Sequence, residues 1–483
     1  MRKENLRFNA ELQFETVKLE NVPCEIFFPK TQNEKIILEA QFNRNECVLS
    51  EISFVFSLKA SFSNGQNRLV EISVGKVYTL SIETSYLPTN QDISILKAEP
   101  VDLKIQEFNQ DSEDNKAQKS FYFWLTQSIQ LAPFNSSKRD YYGNVSVKNY
   151  TKKEFEIVEG LKFSFIDYYF HDNDPKRKNK WASEPVLAAQ FLGITEHELG
   201  ENIFPEIVMF LNLVSFSERR RVVCYGYTGY LNHKNINFYR GDVTIPEENF
   251  DHSHNQCLIN SMDFEKFMLK ALETSKNCIF KKHLFAAIGK AIDSEYLILD
   301  SEYLSYYSAL ENLVNGYRDT CNFHYILELD DYKEFSKDLK SFIKKHNLFK
   351  DNNESKELRR KNRELIYKKI PELNRISFGT VFDLFCESYQ IDLSDLWSLG
   401  GGNNHTSLTD IRNRLIHGGR FERAEYDAVI CANNHLKWTL ERCILRVLDW
   451  DIEQSNVRPL FLTHHAEYNA WKEKSSLLTS RFS

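Results

Sequence analysis

The chain has 483 residues, of which 42% are hydrophobic and 27% are charged, and its formal net charge is −7. This length allows two or three domains that each bury a core, and the composition is that of a globular protein. The negative net charge excludes a protein that coats nucleic acid over its whole surface, so any contact with RNA must be local.

The sequence carries no recognisable targeting signal. The basic N-terminus, Met1–Arg7, leads into no apolar signal core, and no unbroken apolar run approaches the ~18 residues that span a membrane. The nine cysteines are scattered and contain no C-x-x-C pair, which favours free thiols and excludes a zinc ribbon. We therefore predict a cytoplasmic protein with no membrane contact, no metal and no cofactor.

The first half of the chain has the pattern of a β-rich domain. From Phe8 to about Thr89, short runs of β-branched and aromatic residues alternate with polar residues, which indicates antiparallel sheet. A helical interlude is predicted at Pro185–Leu192 and Ile207–Leu213, after which strand character returns. We assign residues 1–250 to one β-rich N-terminal domain.

The period of the apolar residues becomes helical after the polar stretch Pro246–Asn255. Predicted helices cover 264–272, 284–299, 302–317, 378–389 and 426–450. These helices predict an all-α bundle over 256–450, followed by a C-terminal tail over 451–483. The expected fold class is therefore α+β, with a β-rich N-terminal domain followed by a helical bundle.

One ten-residue stretch, Asp410–Gly419, combines a cation with a titratable base. Ser407 and Asp410 form a capping-box pattern, which predicts a helix beginning near Leu408. The two glycines, Gly418 and Gly419, favour a left-handed C-terminal cap just after His417. Arg412 offers a fork of donors for a phosphate, and an imidazole moves protons near neutral pH. These are the minimum groups for cutting RNA.

The Arg412/His417 spacing alone is weak evidence. A match of this kind arises by chance about twice in a chain of this composition. Arg318 precedes His324, and Arg458 precedes both His464 and His465, at allowed spacings. Arg412 and His417 differ from these chance matches in the residues around them. A polar residue, Asn413, follows the arginine, an apolar residue precedes the histidine, and a glycine pair follows it.

Two segments together resemble a known family. Tyr303–Leu313 contains Ala-Leu-Glu, and Ile411–Gly419 reads Ile-Arg-Asn-Arg-Leu-Ile-His-Gly-Gly about a hundred residues later. This pairing resembles the HEPN superfamily, most closely its Apea-like branch, over residues 256–450. The resemblance implies a HEPN-type bundle with metal-independent endoribonuclease activity, often dimeric, in abortive-infection defence against phage. Arg412 and His417 match the catalytic pair, and Asn413 matches the polar residue beside the arginine.

The chemistry is consistent with this resemblance. RNA supplies its own nucleophile, the 2′-OH, so His417 need only move a proton while Arg412 holds the charged phosphate. The expected products are a 2′,3′-cyclic phosphate and a 5′-OH. Because one histidine cannot easily act as base and acid together, we predict a homodimer that brings two such pairs to one cleft.

Several further residues are candidates for supporting roles. Glu311 either orients Arg412 by a charged hydrogen bond or is a solvated helix charge. Arg414 and Arg420 either bind neighbouring RNA phosphates or pair with surface acids.

A basic segment is a further candidate for RNA binding. Residues 340–369 contain eleven Lys or Arg against four acids, a net charge of +7. Arg359, Arg360 and Arg363 lie in this segment, which either guides the RNA backbone or is a solvated helix and loop.

The alternative function is non-catalytic. In that case the bundle is a dimerisation or RNA-binding module, and the β-rich domain is a partner-binding sensor. The expected partners are an RNA substrate, with tRNA as one candidate, a second copy of the chain, and a trigger derived from phage.

Overall fold

The computed structural model divides the chain into two compact units, Met1–Cys257 and Leu258–Ser483. Strands dominate unit 1 and helices dominate unit 2, so the α+β organisation is as predicted. The described residues are 5–28, 35–43, 55–64, 68–85, 93–108, 119–126, 128–131, 137–139, 145–147, 153–172, 180–191, 195–231, 234–241, 243, 257–294, 297–346, 356–400 and 405–482. The predicted boundary stretch, 246–255, lies outside them.

Unit 1 contains one large antiparallel sheet. Its strands run in the order β11-β12-β13-β8-β14-β15-β7-β5-β4-β1-β2-β3-β6. The strands are β1 (Leu6–Gln13), β2 (Lys18–Phe27), β3 (Ile37–Asn43), β4 (Val55–Ser63), β5 (Leu69–Ser85), β6 (Ile93–Pro100), β7 (Asp102–Phe108), β8 (Lys119–Leu125), β9 (Ser137–Arg139), β10 (Val145–Val147), β11 (Lys153–Val158), β12 (Leu161–Asp172), β13 (Lys180–Phe191), β14 (Cys224–Leu231) and β15 (Lys234–Arg240). Strands β9 and β10 form a separate pair.

The long strand β5 closes part of this sheet into a ring. It pairs with β4 through its first half and with β6 through its second half, so β1 to β6 form a continuous circuit. Alternate residues of these strands point into one core, which includes Leu12, Ile26, Leu96 and Ile105 at 0% exposure. The period-two pattern in the sequence is thus the alternation between this core and the surface.

Helix α2 (Phe204–Glu218) packs its phenylalanines on the remainder of the sheet. It follows the three-residue helix α1 (Glu196–Glu198) and a π-helical turn. Phe210 stacks on Phe165 with ring centroids 5.6 Å apart and lies 5.3 Å from the ring of Phe155. The predicted helix at Ile207–Leu213 is therefore confirmed and is a buried core element.

The segment Leu199–Glu218 is long and apolar enough to cross a membrane by length and composition alone, and in the described part of the chain no other helix is. It contains Glu201, Asn202, Glu206 and Asn212, so it is not an unbroken apolar run of the kind that the sequence analysis found absent. Half of its apolar stretch is buried inside the protein, where aromatic packing on the sheet accounts for its composition.

The predicted helix at Pro185–Leu192 is wrong, because 180–191 form strand β13. This strand pairs with β12 throughout, and its pairing with β8 begins only at Val186. The missing N–H of Pro185 therefore removes no bond to β8, which is how a proline is tolerated in a sheet. A local apolar run did not distinguish the two structures.

Unit 2 is a helical bundle built around two long helices, α5 and α10. The helices are α3 (Phe264–Asn277), α4 (Lys281–Ser294), α5 (Leu299–Cys321), α6 (Leu329–Lys345), α7 (Lys356–Lys369), α8 (Phe378–Ser388), α9 (Leu408–Ile416), α10 (Tyr426–Val447), α11 (Pro459–Leu462) and α12 (Ala466–Phe482). Leu436, Leu440 and Cys443 of α10 are fully buried, which confirms the predicted core stripe. The eight described cysteines are free thiols.

Residues 451–483, which we had set apart as a tail, lie inside unit 2. The hydroxyl of Tyr468 on α12 donates to Asp395 at 2.7 Å. Asp395 also accepts two hydrogen bonds from the buried guanidinium of Arg442, at 2.6 and 2.7 Å. These contacts hold α12 against α10.

A buried histidine lies beside this ion pair. His435 of α10 is 0% exposed, and its Nδ1 accepts a hydrogen bond from the Trp397 backbone N–H at 3.0 Å. Its Nε2 lies 3.2 Å from the carbonyl oxygen of Glu467, so the neutral tautomer protonated at Nε2 satisfies both contacts. Burial lowers the pKa of His435 to about 4.

Candidate functional site

The site is built on the nine-residue helix α9, whose start is fixed by its own sequence. The side chain of Ser407 accepts from the backbone N–H of Asp410 at 3.1 Å, and Asp410 accepts from the N–H of Ser407 at 2.9 Å. This is the predicted capping box, and it satisfies two donors that helix formation leaves without partners. The predicted start at Leu408 is confirmed.

The end of α9 needs both glycines, but for different reasons. His417 is the C-terminal cap, and Gly418 has a φ of +77°, the left-handed conformation that side chains resist. Gly419 is required for close approach. A Cβ at Gly419 would lie 2.6 Å from Cγ of Arg414 and 3.0 Å from the Arg414 carbonyl oxygen. The chain can therefore fold back against its own helix only with glycine here.

Helix α5 holds α9 through two tyrosines. The hydroxyl of Tyr303 donates to the carbonyl oxygen of Leu408 at 2.7 Å, and that of Tyr307 lies 2.8 Å from Oγ1 of Thr409. Thr409 in turn donates to the carbonyl oxygen of Leu399 at 2.7 Å. Burial raises the pKa of both tyrosines, so both hydroxyls keep their protons at neutral pH. The first turn of α9 is thus fixed to the bundle.

Arg412 is oriented by three groups. Its Nη2 donates to Oε1 of Glu311 at 3.1 Å, and its Nη1 donates to Oδ1 of Asn413 at 3.1 Å. Its guanidinium carbon lies 5.4 Å from the centroid of the Tyr307 ring, within cation–π range. The side chain is 29% exposed, and the two hydrogen bonds engage only part of the five N–H groups of a guanidinium. Solvent can therefore reach a cation that is already oriented.

His417 lies at the exposed end of the same helix. Its backbone N–H donates to the carbonyl oxygen of Asn413 at 3.0 Å, and the residue is exposed. Five residues of helix separate it from Arg412 by ~7.5 Å along the axis and ~140° around it. The two side chains thus leave α9 in different directions.

Asn413 connects the two candidate groups. Its side chain accepts a hydrogen bond from Arg412, and its carbonyl oxygen accepts one from the backbone of His417. Both contacts are consistent with a residue that positions its neighbours.

Arg414 pairs with an acid, but that acid is the buried Glu425 and not a surface residue. Its Nη1 and Nη2 lie 3.2 and 3.4 Å from the Glu425 carboxylate, and Nη2 also donates to the Arg420 carbonyl oxygen at 2.7 Å. The guanidinium carbon lies 4.3 Å from the centroid of the Phe421 ring. The side chain of Glu425 is only 4% exposed, so this ion pair is largely shielded from water. We infer that Arg414 stabilises the turn after α9. Arg420 has an exposed side chain.

The basic segment comprises the last residues of α6 and the whole of α7, and residues 347–355 between these helices lie outside the described part. Arg360 is 73% exposed and lies 3.5 Å from Glu364 one turn later, and Arg363 is half-buried. The position of Arg359 on α7 is described, whereas its side chain is not. The predicted cations therefore share one helix, which keeps both the RNA-guide and the solvated-helix alternatives open.

Two supporting residues were not identified from the sequence. Tyr307 lies one turn before Glu311 on α5, so the helical spacing placed it on the same face. Glu425 had no comparable signal, because it meets Arg414 only through the turn after the glycine pair.

The described residues contain no group of three or more His, Cys, Asp or Glu that could hold a metal ion. The chain matches no protein-family model, no curated protein and no solved structure. The site is therefore interpreted from its own geometry.

Proposed function

We propose that this protein is a metal-independent endoribonuclease of HEPN type. The observation that carries the proposal is the pre-oriented, partly exposed Arg412 on the same capped helix as the exposed His417. The contact between Glu311 and Arg412 joins the two segments whose sequences resemble the HEPN superfamily. It supports the proposal because a catalytic cation must be held in place before the substrate arrives.

In the proposed reaction the 2′-oxygen of a ribose attacks the adjacent phosphorus. The new O2′–P bond forms as the P–O5′ bond breaks, which gives a 2′,3′-cyclic phosphate and a 5′-OH. His417 accepts the 2′-OH proton or donates a proton to the 5′-oxygen, a role typically worth about 10²–10⁴-fold in rate. Arg412 stabilises the charge on the non-bridging oxygens. DNA, which lacks the 2′-OH, is not cleaved.

The proposed active form is a homodimer. One His417 cannot serve as base and acid in the same step. The Arg412 and His417 side chains of one protomer also point ~140° apart around α9, so they would lie on opposite sides of a bound RNA strand. A two-fold assembly supplies a second Arg412/His417 pair to the same RNA.

The decisive experiment incubates the purified protein with total RNA in excess EDTA. We expect cleavage that survives EDTA and falls at least about 100-fold in both Arg412→Ala and His417→Ala. His464→Ala is the matched control, since His464 lies at the same kind of spacing after Arg458 and is exposed. Unchanged cleavage in His417→Ala contradicts the assignment. RNA binding without cleavage by the wild type supports instead a non-catalytic RNA-binding module.

We further propose that the protein acts in anti-phage abortive infection in the cytoplasm, with tRNA as one candidate substrate. Unit 1 would sense a phage-derived trigger and restrain unit 2, because unrestrained cleavage of RNA is toxic. Expression of residues 258–483 alone should then slow growth more than the full chain does. Equal toxicity of the fragment and the full chain removes support for this restraint.

A further inference from the structure

Helix α6 is 17 residues long and has no buried residue along its whole length. A single stripe on it is made of residues spaced by four and three, so all of them lie on one face. We call this the α6 stripe: Asp331, Phe335, Asp338, Phe342 and Lys345. Phe335 is 48% exposed and Phe342 is 63% exposed. Two phenylalanines one helical repeat apart and open to water indicate a surface that is covered by something else.

The side of α6 next to the stripe is already occupied. The hydroxyl of Tyr332 donates to the carbonyl oxygen of Ile370, and that of Tyr367 donates to the carbonyl oxygen of Lys340 at 3.1 Å. Tyr332 and Leu339 are half-buried on that side. The helix is therefore held along one edge by α7 and the turn that follows α7. The α6 stripe lies beside this edge, with the ring centroid of Phe335 5.9 Å from that of Tyr332.

When two copies of the α6 stripe lie antiparallel, the charges of one copy are complementary to those of the other. An acid, Asp331, stands near its beginning and a base, Lys345, at its end, with the two phenylalanines between them. In an antiparallel pair related by a two-fold axis beside Asp338, Phe335 of one copy meets Phe342 of the other. The same register brings Asp331 of each copy to Lys345 of the other. A parallel pair would place like charges together at both ends.

We propose that the α6 stripe is a self-association surface on which a second copy of this chain docks antiparallel. The proposal rests on the exposed stripe and its charge order, and it stands or falls separately from the ribonuclease activity. A contact through one helix is smaller than the ~800 Å² per partner of a standard interface, so we expect a weak dimer whose formation depends on protein concentration.

The same register predicts one unfavourable contact. The two Asp338 carboxylates lie close together beside the axis, and like charges at an interface weaken association. The variant Asp338→Asn removes these charges and should therefore strengthen the dimer. If α6 instead binds a polyanion through its lysines, Asp338→Asn should not strengthen self-association.

The first test measures the oligomeric state of the full chain by sedimentation across nanomolar to high-micromolar concentrations, without RNA. The wild type should shift from monomer to dimer. The double variant Phe335→Asp/Phe342→Asp should weaken association more than about 100-fold. The control is Leu460→Asp, since Leu460 is 71% exposed on another helix and lies outside the stripe. A wild type that stays monomeric throughout, or a dimer unaffected by the double variant, overturns the proposal.

The second test is a charge swap. Lys345→Glu should weaken the dimer about tenfold, because it places two acids together in each of the two symmetry-related contacts. The swap Asp331→Lys/Lys345→Glu should restore the wild-type affinity. Only antiparallel self-pairing predicts this rescue, so its failure excludes the proposed register.

Two other occupants are tested in the same variants. Flotation with phosphatidylserine vesicles and binding of single-stranded RNA are measured for the wild type and the Phe335→Asp/Phe342→Asp variant. If vesicles or RNA bind through the stripe while the protein remains monomeric, the stripe serves that ligand and the self-association proposal is overturned.

Discussion

The guanidinium of Arg412 lies 3.1 Å from the carboxylate of Glu311, a residue 101 positions earlier in the chain. Each side chain is about one-third exposed, at 29% and 31%, so the pair contributes no more than about 1 kcal/mol to stability. The main effect of the pair is to fix the orientation of the Arg412 guanidinium.

The first prediction concerns this pair. If Arg412 binds the scissile phosphate, Glu311→Ala should lower the cleavage rate about tenfold by releasing the guanidinium, with a small change in melting temperature. Glu311→Gln keeps an acceptor for Arg412 and should recover most of the rate. Asp319→Asn, another exposed acid of α5, serves as the control. Equal losses in the Ala and Gln variants would show that the negative charge of Glu311 matters, and not its hydrogen bond.

The second prediction concerns the turn after α9. Gly419→Ala places a methyl group 2.6 Å from Cγ of Arg414 and should destabilise the protein by about 1–3 kcal/mol. The control is Gly289→Ala in α4, where a Cβ meets nothing within 4 Å. That change should stabilise the helix by roughly 0.5–1 kcal/mol. Denaturant unfolding of both variants measures the contrast, and equal effects would mean that the turn adjusts freely.

The third prediction concerns pH. The pKa of His435 is about 4 in the folded protein, below its ordinary value of 6.5, because burial disfavours the charged imidazole. As pH falls, the unfolded chain binds this proton first. Stability is therefore fully present above pH 6.5 and is lost progressively down to pH 4, by about 3 kcal/mol in total.

Equilibrium unfolding of His435→Gln tests this assignment. The variant should be less stable at pH 7 but should lose the slope between pH 6.5 and 4. The exposed His464→Ala serves as the control and should keep the slope. If His435→Gln keeps it as well, another group is responsible.

The fourth prediction concerns the basic segment. If α7 guides RNA, neutralising Arg359, Arg360 and Arg363 together should lower the slope of log binding constant against log salt by up to about 2 for single-stranded RNA. Binding is measured in the His417→Ala background, so that the substrate stays intact.

The control for this measurement is a triple neutralisation in unit 1, at Arg7, Lys18 and Lys35. These side chains already pair with glutamates. The control should leave the salt slope unchanged. If the α7 variant also leaves it unchanged, the segment is a solvated surface.

The parts of the site that depend only on residues close together in the sequence were predictable from it. The capping box of Ser407 and Asp410 and the left-handed Gly418 follow from local hydrogen bonding and backbone sterics. The contact of Glu311 with Arg412 was one of two alternatives, since two helices a hundred residues apart in sequence meet only through the packing of the bundle. The role of Gly419 was predicted only in part, because its close neighbour is the folded-back Arg414.

The errors have the same origin. Pro185–Leu192 was assigned to a helix because an apolar run does not reveal which partner buries it. Residues 451–483 were set apart because α12 gains its place from Asp395 and the α10 surface. In both cases the deciding contacts come from elements distant in sequence.

The shortness of α9 has a consequence for when the proposed site exists. Nine residues are fewer than the ~12–15 that an isolated helix needs for even marginal stability in water. Its first turn depends on Tyr303 and Tyr307 of α5, which is made about a hundred residues earlier during synthesis. A nascent chain or a proteolytic fragment that carries Arg412 and His417 without a docked α5 would have the residues but not their arrangement. On the proposed function, cleavage of RNA would therefore require that α9 has docked on α5.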